Sequence, residues 1–229
     1  MVLLSEITLP SAQEADHIAA ELERFVAAPN FPCIGAKAAL RRHQLAILVV
    51  PDIRSPAADL LITRRLQDFA VNYDNDANLF VSQAVVFRNR VALSEEDFET
   101  HLWQRLTGLH IIDQRDFKWD PKVDSDPASP HFSLSIGGKG FFVVGLHPNA
   151  SRASRRFRYP TLVFNLHAQF ERLRDEGRYE LIRNKTIARD IALDGSANPM
   201  LTRHGQGLAA AQYSGRVVGT DWKCPFRHG

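Results

Sequence analysis

The sequence predicts an α/β chain of the mixed α+β kind, one domain over residues 1–229 with a central mixed sheet of about five strands flanked by helices. Three observations predict it. Strand-length apolar runs alternate with amphipathic, capped helical segments; a Gly-Gly hairpin joins two of the runs; no repeat or linker divides the chain.

In chain order, Ser11–Ala27 is an amphipathic helix, since Ser11 and Glu14 make a capping box and Ala15, Ile18, Ala19, Leu22, Phe25 and Val26 share a face. Gly35–Arg42 is a short helix. The continuous run Gln44–Val50 reads as a strand covered on both faces. Ser55-Pro56 starts a helix that reaches Asn72, because proline suits a first turn. Leu79–Phe87 is a second strand. Ser94 with Asp97 opens another helix, striped by Phe98, Leu102, Leu106 and His110. Asp113–Pro130 is polar and proline-rich, a long loop of the sort that serves as a lid or stays mobile. Phe132–Ile136 and Gly140–Leu146 form a hairpin about Gly137-Gly138. Thr161–Phe164 is a short strand feeding helices over His167–Arg174 and Tyr179–Ala192. Turn-rich clusters follow: GSANPML, QYSGR and WKCPF.

Hydrophobic content of 45%, charged content of 24% and a net charge of +2 are ordinary for a soluble protein. Nothing global points to nucleic acid or a membrane, and no apolar run approaches the roughly 20 residues a membrane helix needs. MVLLSEITLPSAQEAD lacks the basic and apolar regions of a secretory leader. Two cysteines, Cys33 and Cys224, are too few for a disulfide scaffold, so a cytoplasmic protein with reduced thiols is expected.

The stretch GFFVVGLHPNASRASRRFRYPTLVFNLHAQ carries the most chemistry. Two apolar runs deliver His147 and His167 at their ends, and Arg152, Arg155, Arg156 and Arg158 lie between them without an acid from Ser151 to Pro160. A strand end holds a ligand rigidly, which favours His147; a helix N-terminus favours neutral imidazole, which favours His167. Structural roles compete with both: a half-buried histidine donating to a carbonyl, or a capping residue. The arginines suit phosphates, haem propionates or a carboxylate substrate; the competing role is a turn paired to Asp or Glu elsewhere. Cys33, just before a helix and near Lys37, is expected to have a lowered pKa, as a nucleophile or thiolate ligand, or else to be a packed hydrophobe. Cys224-Pro225 is a weak thiolate-to-haem context. Zinc spacings, GxSxG, P-loop and Rossmann fingerprints do not occur.

Taken in order, FPCIGAKAAL, GLHPNASRASRRFRYPTLVFNLHAQFERLR, IARDIALDGSANPML, QYSGR and WKCPF resemble the YqcI/YcgG family over about Phe31 to Phe226. Each motif alone is unspecific; the ordered set carries the resemblance. It implies haem b and N-hydroxylation of the guanidine group of arginine or a related compound, as in the arginine N-hydroxylase of cycloserine biosynthesis and the pre-guanitoxin N-hydroxylase. On this resemblance His147 is the expected axial iron ligand, with His167 next and Cys224 or Cys33 as thiolate alternatives. Arg152, Arg155, Arg156 and Arg158 face the propionates, and Phe141–Leu146 with Trp222 and Phe226 form the apolar slot. Asp52, Asp190 or Asp194 holds the substrate guanidinium, with Asn198, Tyr213 and Ser214 as distal polar groups. Dioxygen or peroxide is the oxidant, an external reductase supplies electrons, and a homodimer is considered. A non-catalytic haem- or anion-binding sensor module is the alternative, and a Cys33 thiol enzyme with a histidine base is a third reading.

Overall fold

The computed structural model describes residues 7–74, 80–202 and 205–228. Six helices and one five-stranded sheet occur among them, as the alternation of patterns predicts. They run α1 (Ala12–Ala27), α2 (Ile34–Arg41), β1 (Leu45–Val50), α3 (Asp59–Val71), β2 (Ser82–Phe87) and α4 (Glu95–Asp113). Then come β3 (Leu134–Ile136), β4 (Lys139–Leu146), β5 (Thr161–Leu166), α5 (His167–Asp175) and α6 (Tyr179–Asp194). Leu79, expected to begin a strand, and the first six residues of the leader reading lie outside the described residues. None of the described helices is long and apolar enough to cross a membrane.

The caps form where serine precedes the apolar stripe. Ser11 Oγ accepts from Glu14 N at 3.2 Å and Ser94 Oγ from Asp97 N at 3.0 Å. Pro56 opens a short 3₁₀ turn, Pro56–Ala58, and α3 proper starts at Asp59. The Gly-Gly hairpin forms as expected, with Gly137 and Gly138 at φ +60° and +70°.

Strand order is β1-β2-β5-β4-β3, with β1 and β2 parallel and the other neighbours antiparallel. β1 is therefore an edge strand. It is continuously apolar because Leu48 and Val50 pack towards α3 and α4, while Leu45, Ile47 and Val49 pack towards α1 and α2; its first four residues remain only half-buried. The strictly two-residue alternation of β4 sorts the two sides of the sheet. Phe141 and Val143 enter a dense core with α3 and α4; Phe142, Val144 and Leu146 face the opposite way. Gly145 lets α4 approach: a Cβ there would lie 2.6 Å from the Phe98 ring.

The long loop after α4 is not a free lid. Trp119 packs edge-on and tilted into the aromatic cluster of His110, Phe132 and Phe226, and Asp120 accepts from Gly140 N at 2.8 Å. Packing the indole among aromatic rings and giving the Asp120 carboxylate a backbone donor fixes a segment that its prolines alone leave undefined.

Candidate functional site

The second face of the sheet is incompletely filled. A cavity of about 340 Å³ lies on it. Phe142, Val144, Val163 and Asn165 form its floor; Leu22 and Val26 of α1, Cys33 and Gly35 at the start of α2, and Phe170 and Leu173 of α5 form its walls. α6 contributes Tyr179, Ile182, Arg183, Thr186, Ile187 and Asp190. Those positions recur at three- and four-residue spacing, so they share one helical face. None of the α6 residues is fully buried; Tyr179 and Ile182 pack partly against Ala39, Phe80 and Leu173.

Cys33 caps α2, its Sγ accepting from Ala36 N at 3.4 Å. Burial pushes the thiol up, and the N–H groups of Ala36 and Gly35 only partly offset it. The expected lowered pKa is therefore corrected. Lys37 does not assist, since its ammonium donates to the carbonyls of Ala27 and Ala28 at the end of α1. No histidine lines the cavity among the described residues, so the Cys33–histidine couple of a thiol enzyme is not assembled.

The arginine cluster disperses. Arg152 is 8% exposed and is held by Asp190 at 2.5 Å and Asp194 at 3.3 Å. Arg155 donates to the carbonyls of Gly145, Tyr213 and Gln212, and burial lowers its pKa to about 10. Arg156 donates to the carbonyls of Ala150 and Ser151, and Arg158 forms a two-pronged pair with Glu21. Only Arg155 of the four lines the cavity. The expected four-arginine cradle is thus not present: neighbours in sequence diverge because partners from α1, α6 and the 209–216 segment each claim one guanidinium.

His147 and His167 are also separated from the cavity. Following the alternation of β4, His147 lies on the α4 side, stacked on Phe98 at 4.3 Å and 1% exposed. Burial drives its pKa down to about 4, against the pull of Glu95. His167 makes a 2.7 Å hydrogen bond between Nε2 and Ser133 Oγ at the far end of the sheet.

Tyr213 and Ser214 are structural. The Tyr213 hydroxyl donates to Phe141 O at 3.0 Å and its ring stacks on Trp103, while its own carbonyl accepts from Gly145 N, covering the edge of β4. Ser214 donates to Glu99 Oε1 at 2.9 Å. Arg216 and the Trp222 indole converge on Glu99 Oε2. The QYSGR and WKC clusters therefore clamp the C-terminal segment onto a buried acid of α4, a role sequence reading missed because Glu99 lies 115 residues from Ser214. Glu99→Ala is expected to cost about 2 kcal/mol, the worth of its charged hydrogen bonds, in urea unfolding followed by tryptophan fluorescence. Cys224 packs in the same core and burial raises its thiol to about 12.

Asp52 is outside the cavity. It binds Arg54 and Asn89 at the end of β1; burial raises its pKa, but these hydrogen bonds outweigh that and leave it at about 2. Asp194 is taken up by Arg152 and by Ala153 N. Asp190 does line the cavity, accepting from Ser154 Oγ at 3.0 Å and from Arg152, and Asn198 lines it close by in the chain. The lining residues Arg183, Thr186 and Gln212 were not singled out from sequence; the α6 spacing was the available signal for the first two.

Among the described residues no three His, Cys, Asp or Glu side chains gather as a metal cluster, whereas a haem takes only an axial donor from the chain. Neither a curated protein nor a solved structure matches the chain. The family model for the YqcI/YcgG family matches residues 22–227, a span that includes every cavity-lining residue, and the chain belongs to that family.

Proposed function

We propose that the protein is a haem-dependent monooxygenase that N-hydroxylates the guanidine group of arginine or a related guanidino compound, with the cavity beneath α6 as its reaction chamber. The observation that carries this reading is one apolar cavity lined by both a cysteine and an aspartate, Cys33 and Asp190. The donor chemistry fits haem. Of the four ligands considered, His147, His167, Cys33 and Cys224, only Cys33 lines the cavity, and two backbone N–H groups face its sulfur. Cys33 would hold the iron in place of His147, and metal coordination would overcome the burial that keeps the thiol protonated. A bound haem would supply the activation of dioxygen or peroxide.

The chain's own residues do the rest. Each Asp190 oxygen accepts one hydrogen bond and keeps a lone pair for a guanidinium N–H. Asn198 and Asn165 supply neutral amides to orient the substrate. The apolar walls of α1 and α5 exclude water. In the net reaction one N–H becomes N–OH and the other oxygen atom leaves as water. Dioxygen requires two electrons and two protons from an external reductase; peroxide requires none.

Protein expressed with haem supplementation should show a Soret band and form N-hydroxyarginine or its analogue with peroxide. The band should be lost or displaced in Cys33→Ala and kept in His147→Leu. A wild-type protein without Soret absorption overturns the proposal. Haem binding with no turnover across arginine, agmatine and other guanidines would instead mark a sensor module.

A further inference from the structure

The charge balance of the cavity favours an anion. Among the described residues two guanidiniums, Arg155 and Arg183, line it against one carboxylate, Asp190, and Arg152 is shared between Asp190 and Asp194. Arg155 is spent on three carbonyl oxygens. Arg183 is different: half-buried on the cavity face of α6, it makes no hydrogen bond or ion pair with any described residue. An unpaired guanidinium lining an apolar cavity is free to make a charge-assisted, bidentate contact with a bound anion. Its neighbours on that face, Ile182 and Ile187, are apolar, which suits an anionic group carried on an apolar body rather than a free inorganic ion.

We propose that Arg183 is a carboxylate-binding subsite of this cavity. The proposal rests on the monooxygenase reading for its two sources of carboxylate, a haem propionate or the α-carboxylate of an amino-acid substrate. In either case Arg183 is a positioning residue. Held at the opposite end of the α6 face from Asp190, two turns along the helix, it would set one end of the ligand while Asp190 receives a cationic end.

The test uses wild type and Arg183→Gln, with circular dichroism to verify that both are folded. Haem b and its dimethyl ester are titrated into the haem-free protein. Arginine and agmatine, which lacks the carboxylate, are then titrated into the haem-loaded protein and read by spectral shift. Loss of one charge-assisted bidentate contact is expected to weaken binding roughly tenfold. Weakening of haem b but not of the ester assigns the propionate. Weakening of arginine but not agmatine, with haem binding unchanged, assigns the substrate carboxylate. Equal effects on carboxylate and carboxylate-free partners, or no effect on any, overturn the subsite. If wild type takes up no haem, the monooxygenase reading falls and the subsite is read with octanoate against octanol by thermal shift. Stabilisation by octanoate that Arg183→Gln abolishes sustains it; identical behaviour of the two proteins overturns it.

Discussion

Replacing Arg152 by alanine should destabilise the protein by about 3–5 kcal/mol, the usual cost of leaving buried charge without its partner. Arg152, Asp190 and Asp194 are 8%, 14% and 12% exposed, so solvent can compensate little of the loss. The effect is also mechanical. α6 has no fully buried residue: Tyr179 and Ile182 pack at one end against Ala39, Phe80 and Leu173, and polar ties hold the other. Arg152 grips Asp190, Asp194 and the carbonyl of Ser196; Ala153 N donates to Asp194; Arg189 reaches the carbonyls of Pro29 and Phe31. Removing the first of these leaves both carboxylates without their guanidinium. The urea midpoint should fall accordingly, with a melting temperature lower by roughly 10 °C for a chain of this size. Amide exchange should accelerate first across residues 179–194. A loss below about 1 kcal/mol would show the three groups to be well hydrated and the latch absent.

His147 should make stability pH-dependent in a defined window. Its folded pKa is about 4, against an unfolded value of 6.5, so the unfolded chain binds the extra proton between them. Stability is therefore full above about pH 6.5 and is lost as pH falls towards 4. At pH 5 the loss attributable to this residue is about 2 kcal/mol. Its cause is the burial of the imidazole against Phe98, with Nδ1 lacking a hydrogen-bond partner that could hold a proton. His147→Leu removes the group, so the difference between urea stabilities at pH 7 and pH 5 should shrink by about that amount. An unchanged difference would mean that His147 is hydrated in the folded protein. The same variant separates this structural role from iron ligation, because the Soret band is expected to persist.

Much of the fold was legible because its determinants are local. Ser11 and Ser94 cap the helices they precede, Gly137-Gly138 turns the hairpin, and β1 is apolar on both sides because both sides are packed. The ordered clusters were legible as a family, and the family model bears them out over residues 22–227. The site was legible only in part. Cys33, Asp190, Asn198 and Arg155 do meet in one cavity, while His147, His167, Asp52, Tyr213 and Ser214 do not. His147 could have been placed from the alternation of β4, since it shares parity with Phe141 and Val143. The arginine cluster could not, because nothing local distinguishes Arg152 from Arg156.

The sequence by itself determined which segments are helix and strand, with ends displaced by a few residues as in β5 and α6, and to which family the chain belongs. Those properties follow from periodicity, caps and turn residues acting over a few positions. The tertiary structure alone decided which charges cancel and which face a cavity. Arg158 finds its partner in α1, 137 residues away, while Arg152, in the same loop, finds its own in α6, because packing of the sheet brings both helices to that loop. Four arginines that look like one anion site become four separate internal ties. Arg183, with no like-charged cluster to announce it, lines the cavity without a partner among the described residues.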